Sequence, residues 1–383
     1  MRKERADFHL HTHKSNLFCR DSTNFEFQVI DKALELDIKG QAITEHGNLS
    51  SHVKALLYLK ELRNKNKERV ESFDFAKGNV IDFNIIKNEY EKSMDFRLCL
   101  GIEIYLVDRE KIINARKNNE YTRFYHLVLV AKNLKGYRAI AKLSSKSWED
   151  SFVFRGMDRV PVYKDYFFEW LQENKEDVFV TTACLGGELA DLSLQYLKAS
   201  SKEESEMLRG QIENFILPFK SILGDNFFIE IQPSFFEEQI AFNKLAIMIA
   251  ESLNIKILIN TDAHYLSREL QEVHSIFLRS QNAERETEQF YSSTYMMNYD
   301  ELREYFPYIE EEKFDNYIDN SLEILNSVEE YDLYKPTEVP NTTISYDPQR
   351  MSILAPYVIN NIEKYKYIYL YGTSQHNKIG RAS

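Results

Sequence analysis

The sequence predicts a closed α/β barrel, and three observations lead there. Strand-like and helix-like apolar runs alternate along most of the chain. At least seven of those runs read as strands, over roughly 330 residues, which suits a barrel better than an open sheet. Acidic and metal-ligating side chains gather just past the strand-like runs, where the loops of a barrel meet at one mouth.

In chain order, ADFHLH reads as a short strand, and FEFQVIDKALELD has helical apolar spacing that ends before Gly40. GQAIT is the next strand and LSSHVKALLYLKELRNK the next helix. Residues 63–96 are polar and charged and read as an insertion. CLGIEIYLV and HLVLVA are strands, and GYRAIAKLSSKSW is a helix. VFVTTA is a strand, with a helical stretch around 187–198 after it. FFIEIQ, EEQIAFNKLAIMIAESL, IKILIN and SRELQEVHSIFLRSQ continue as strand, helix, strand and helix. Residues 1–334 are therefore expected to form one domain. From 335 the chain reads as a linker and an unassigned C-terminal segment.

Composition narrows the function. No apolar run approaches the roughly 18 residues of a membrane span, so no membrane association is expected. Cys19, Cys99 and Cys184 are few, odd in number and far apart. A disulfide framework is not expected, and a reducing cytoplasm is. The net charge of −12 excludes a general nucleic-acid coat, so any binding of nucleic acid must be local.

The ligand-type residues carry the chemistry. His9, His11 and His13 alternate in DFHLHTH; a strand would place them on one face. Asp21 lies in the following loop, and His46 in EHGN after the next strand. Glu103 lies within its strand, Cys184 in ACLGGE, and Asp262 with His264 in TDAHY. His126 stands at the start of its apparent strand, the wrong end if all strands run alike. Imidazole, thiolate and carboxylate are the usual ligands of zinc and its neighbours. One tetrahedral ion uses about four donors, so this set suggests two or three ions with bridging carboxylates. Their charge would outweigh that of the acidic ligands and make the site attractive to a phosphate ester.

In order, DFHLHTHKS, ITEHGN, GIEIY, YHLVLVAKN, TACLGGE and NTDAHYL resemble the motifs of the PHP (polymerase and histidinol phosphatase) domain. The version is that at the N-terminus of bacterial DNA polymerase III alpha subunits. GYRAIAKLSS, DNFFIEIQ and QFYSSTYMMNYDELREYF extend the likeness, which covers roughly residues 5–330. The resemblance implies a distorted (βα)7 TIM-like barrel, the PHP fold, here with the polar insertion and a C-terminal extension. It implies metal ligands at His11, His13, Asp21, His46, Glu103, His126, Cys184, Asp262 and His264. His11, His13, His46, Asp262 and His264 would be catalytic, and Arg159 in DRVPV would meet substrate phosphate. His9, His52 and His274 are read as packing or supporting residues, Cys99 as core, and Glu45 as a non-ligand.

The resemblance also implies two or three divalent ions, zinc or manganese, with iron also admissible. The implied activity is that of a metal-dependent phosphoesterase, a 3′–5′ exonuclease on DNA 3′ ends in replication or proofreading. Polymerase or replisome subunits are the implied partners. Rival readings are a small-molecule phosphomonoesterase and a non-catalytic, metal-stabilised module of a polymerase or defence system. Nothing after residue 335 resembles a polymerase palm, and IYLYGTSQHNKIGRAS lacks the GK[ST] of a P-loop. That ending, an apolar strand and a glycine loop, is expected to precede further structure, so the chain reads as a domain alone, a fragment or a split relative.

Overall fold

A computed structural model describes residues 3–17, 19–154, 157–281 and 290–334. The expected linker and C-terminal segment, with His376, lie outside the described residues. The strands are β1 (Arg5–Asp7), β2 (Ile38–His46), β3 (Arg97–Val107), β4 (Tyr125–Ala131), β5 (Phe152–Phe154), β6 (Met157–Arg159), β7 (Val162–Tyr163), β8 (Val178–Thr181), β9 (Phe227–Ile231) and β10 (Lys256–Ile259). Seven of them follow one path, β1-β2-β3-β4-β8-β9-β10, and β7 pairs with the end of β3. The seam between β10 and β1 is drawn shut just beyond the strands. Leu10 and Ala263 form a parallel bridge, and the His11 N–H donates to the Ala263 carbonyl at 3.0 Å. The fold is thus the nearly closed, TIM-like barrel that the sequence predicts.

One strand departs from the parallel pattern. β4 is antiparallel to both of its neighbours, β3 and β8. Periodicity reports which side chains share a face and carries no information on strand direction. The reversal removes the difficulty with His126: the start of β4 lies beside Tyr105, toward the end of β3, and so at the mouth.

Parity sorts the rest. On β3, Ile102, Ile104 and Leu106 face the outer helices and belong to the large outer core. Cys99 faces inward with Ala6, Ala42, Val128, Phe179, Phe228 and Leu258, at least one from each of the seven strands. These form the barrel floor, and Ile324, Leu325 and Val328 close it from below. The last helix, Glu311–Ser327, lies so close to β2 that a Cβ on Gly40 would stand 2.2 Å from Leu325 Cδ1. A larger residue there would have to displace the Leu325 side chain.

The 63–96 insertion is helical. The helix His52–Glu71 turns back into the helix Val80–Asp95, which Asn79 caps by accepting from the Ile81 and Asp82 N–H groups. Its polar composition reflects exposed faces carrying i,i+4 ion pairs such as Lys67–Glu71 and Lys87–Glu91. Phe73, Phe75 and Phe83 cluster at the tip. Among the described residues, no helix is long and apolar enough to cross a membrane.

Candidate metal centre

The inward parity that builds the floor from Cys99, Val128 and Ala42 puts Glu103, His126 and His46 above it, on the same faces of β3, β4 and β2. The turns after β1, β8 and β10 add His9, His11, Asp21, Cys184, Asp262 and His264. Two of these turns hold non-glycine residues with positive φ: Ala183 at 57° and Asp262 at 48°. Such left-handed backbone is costly, chiefly for alanine, and is retained where it aims a neighbouring side chain. Here it aims Cys184 and Asp262.

The side chains form one cage with three corners. In the first, His9 Nε2 and His11 Nε2 lie 3.2 Å apart, and Asp262 Oδ1 is 3.3 and 3.1 Å from them. The Glu103 oxygens lie 3.7 Å from the same two nitrogens. In the second, His126 Nδ1 is 2.6 Å from Glu103 Oε1 and 3.3 Å from Cys184 Sγ. In the third, Asp21 lies 3.8 Å from His46 Nδ1 and 3.7 Å from His264 Nε2. Glu103 joins the corners, since its Oε2 also lies 3.2 Å from His46 Nε2.

The residues present fit divalent ions. Donors 2.0–2.1 Å from a tetrahedral zinc stand about 3.3 Å from one another, close to most of these separations. Asp21 Oδ1, His46 Nδ1, Glu103 Oε2 and Asp262 Oδ1 are buried and have no hydrogen-bond partner. Buried polar atoms are rarely left so, and four around one cavity call for a cation. Protonated imidazoles stand in for part of that charge. Burial alone would lower His9, but Asp262, Glu230 and Glu103 outweigh it and bring the ring up to about 10. His46 is likewise brought up to about 9, against burial, by Asp21 and Glu103. Burial pushes the Cys184 thiol well up, and Asp262 and Glu103 add to this.

The structure corrects one pair of assignments. His13, expected in the ligand set, stands outside the cage, with its side chain 27% exposed and 3.5 Å from Glu26. Its ring packs on Phe25. His9, expected as support, is fully buried in the first corner. The reason is local: the chain turns at His13–Lys14 into a 3₁₀ turn, Ser15–Leu17, which carries the third histidine off the shared face. The remaining expected ligands, His11, Asp21, His46, Glu103, His126, Cys184, Asp262 and His264, are brought together. Metal analysis of two variants checks the exchange: His9→Ala is expected to lose at least one ion per chain, and His13→Ala none.

Supporting residues hold the imidazoles in place. His9 Nδ1 meets Glu230 at 2.7 Å, so Nε2 faces the cage. Glu230 is fully buried on β9 and also accepts from Asn260 and Gln232. Such a carboxylate behind a metal-facing imidazole fixes the ring and raises its basicity. A charged residue at an inward position of the apolar run FFIEIQ was the signal for it. His11 Nδ1 meets the Ser15 hydroxyl at 3.1 Å, and Ser15 in turn donates to Glu45. His264 Nδ1 meets the Asp262 carbonyl at 2.7 Å, and His274 meets that of Asp21 at 2.6 Å. Gly186 packs so closely on His126 that a Cβ would stand 2.8 Å from its ring.

The cage opens into a cavity of about 250 Å³, walled by Tyr105, Tyr121, Phe124, Arg159, Phe290 and Tyr291. Arg159, at the end of β6, lies over the Phe124 ring at 5.6 Å.

The PHP domain family matches residues 7–234. The chain is 33% identical over 339 residues to "Probable DNA polymerase YorL" of Bacillus subtilis, covering 87% of this chain and 24% of that one. It is 26% identical over 262 residues to a DNA polymerase III subunit alpha of Borreliella burgdorferi, covering 68% of this chain and 18% of the relative. The chain thus spans about a quarter or less of these relatives. Among solved structures, an amidohydrolase from Chromobacterium violaceum aligns at 13% identity with a TM-score of 0.35, over 68% of this chain and 87% of that one. The matched family spans more than half of the chain, and with a nearly closed barrel whose mouth gathers histidines, carboxylates and a cysteine, the chain belongs to the PHP domain family.

Proposed function

We propose that this domain is a metal-dependent hydrolase that cuts a phosphodiester at a DNA 3′ end. The observation that carries the reading is the cage itself: three adjoining corners, joined through Glu103, at the base of a cavity with a basic and aromatic wall. Two or three divalent ions there would supply Lewis acidity toward phosphate and an activated water near neutral pH. Imidazole and thiolate donors favour zinc for occupancy, and the carboxylates also admit manganese.

The side chains divide the remaining work. His9 and His11 are fixed by Glu230 and Ser15, so the cage keeps its shape as substrate enters. Arg159 offers a guanidinium to a phosphate oxygen. Tyr121 and Phe124 offer ring faces to a terminal base, a contact worth about 1–3 kcal/mol per base in single-strand binding. No side-chain nucleophile is required, and Cys184 serves as a ligand. The polymerase relatives support a setting in replication or proofreading, with polymerase subunits as partners.

The test pairs elemental analysis with digestion of 5′-labelled single-stranded DNA, beside a panel of small phosphomonoesters, for wild type and His11→Ala. We expect a ladder shortened from the 3′ end by wild type, and a rate at least about 100-fold lower in the variant. Equal digestion by both proteins would sink the reading. Turnover of monoesters alone would reassign the substrate. Bound metal with no substrate cut would make the domain a metal-stabilised scaffold.

A further inference from the structure

We propose that Cys19 is a further metal ligand, joining Asp21 and His46 at the third corner. The inference rests on the reading of the cage as a cation site. It begins in the loop after the Ser15–Leu17 turn. The Cys19 N–H donates to the Ser15 carbonyl at 3.2 Å, and the Cys19 carbonyl accepts from the Asp21 N–H at 3.1 Å. This tight backbone brings both side chains to the same side. Cys19 Sγ, an Asp21 carboxylate oxygen and a His46 ring nitrogen all lie within 4.8 Å of one another. The thiol is hydrogen-bonded to the Asp21 carboxylate and lines the cage cavity.

A second observation points to a ligand at this place. Asp21 Oδ1 and His46 Nδ1 are each buried without a hydrogen-bond partner, and they face each other at 3.8 Å. That is too far for a hydrogen bond and suited to two donors around one ion. Asp21 and His46 are 2% and 4% exposed, so bulk water does not satisfy these atoms.

The consequence is two corners of matching composition. Cys19, Asp21 and His46 make a group of three donors, a thiol, a carboxylate and an imidazole. The corner of Glu103, His126 and Cys184 has the same number and the same mix of donors. A thiolate in each suits both corners to a soft-accepting divalent ion, zinc above all.

Cobalt substitution reads thiolate ligation directly, through the sulfur-to-cobalt charge-transfer band in the near ultraviolet. In full-length protein loaded with cobalt, Cys184→Ser is expected to keep about half of the wild-type band, and Cys184→Ser with Cys19→Ser none. A Cys184→Ser protein that binds cobalt with no band would overturn the proposal while leaving the cage reading intact. Wild type that binds no cobalt at all would overturn both. A second measurement needs no variant. Cys99 and Cys184 are 1% and 4% exposed, whereas Cys19 is only half-buried, so Cys19 is the thiol a reagent reaches first. Alkylation followed by peptide mapping is expected to slow at Cys19 by tenfold or more when zinc is added to metal-free protein. Equal rates with and without zinc would overturn the proposal.

Discussion

Replacing Glu103 with glutamine is expected to cost the cage at least one ion per chain and to lower hydrolysis more than about 100-fold. The carboxylate is 1% exposed and lies against four imidazoles. Oε1 is 2.6 Å from His126 and 3.7 Å from His9, and Oε2 is 3.2 Å from His46 and 3.7 Å from His11. Against the cost of burial, the histidines hold its pKa well below the ordinary carboxylate range, so its charge is fixed. Glutamine keeps the shape and removes the charge, and its amide nitrogen cannot bind a cation. Two corners each lose an anionic donor together. The checks are elemental analysis, the digestion assay and a circular-dichroism spectrum to verify the fold. Full metal content in a folded variant would remove Glu103 from the ligand set.

The largest effect on stability is expected from Arg5→Met, a loss of about 3–5 kcal/mol. Arg5 is 1% exposed and donates to Asp7 Oδ2 at 2.6 Å and to the Met297 carbonyl at 2.7 Å. The same Asp7 oxygen accepts from the Thr261 N–H at 3.1 Å and its hydroxyl at 2.7 Å. This small network ties β1 to the chain leaving β10, across the barrel seam. Methionine fills much of the space but leaves Asp7 as a buried charge with no cation beside it. Urea unfolding measures the loss, and Arg5→Met with Asp7→Asn should recover part of it. A loss below about 1 kcal/mol would show that the seam does not depend on this pair.

The sequence made the strands and most of the cage legible for one reason. A barrel strand buried on both faces is a near-continuous apolar run, so a charged or imidazole residue at its end stands out. HLVLVA and IKILIN are such runs, and their flanks carry His126, Asp262 and His264. Two features were hidden. DFHLHTH has period two throughout, so parity alone could not say which two of three histidines enter the cage; the turn-forming HKSN that follows decides it. The direction of β4 was hidden because antiparallel and parallel strands share the same alternation. The misplaced end of His126 was its one visible trace.

The reversed strand also shapes how the domain could acquire new preferences. Since β4 descends, the helix Leu134–Glu149 climbs back, and it delivers the β5–β6 hairpin with Arg159 to the mouth before β8 begins again from below. Among the described residues, no cage residue lies between His126 and Cys184. Within that stretch the β5–β6 hairpin lies off the barrel path, so its residues can change without altering a cage side chain. Arg159 and the cage side chains are therefore carried on separate pieces of the polypeptide.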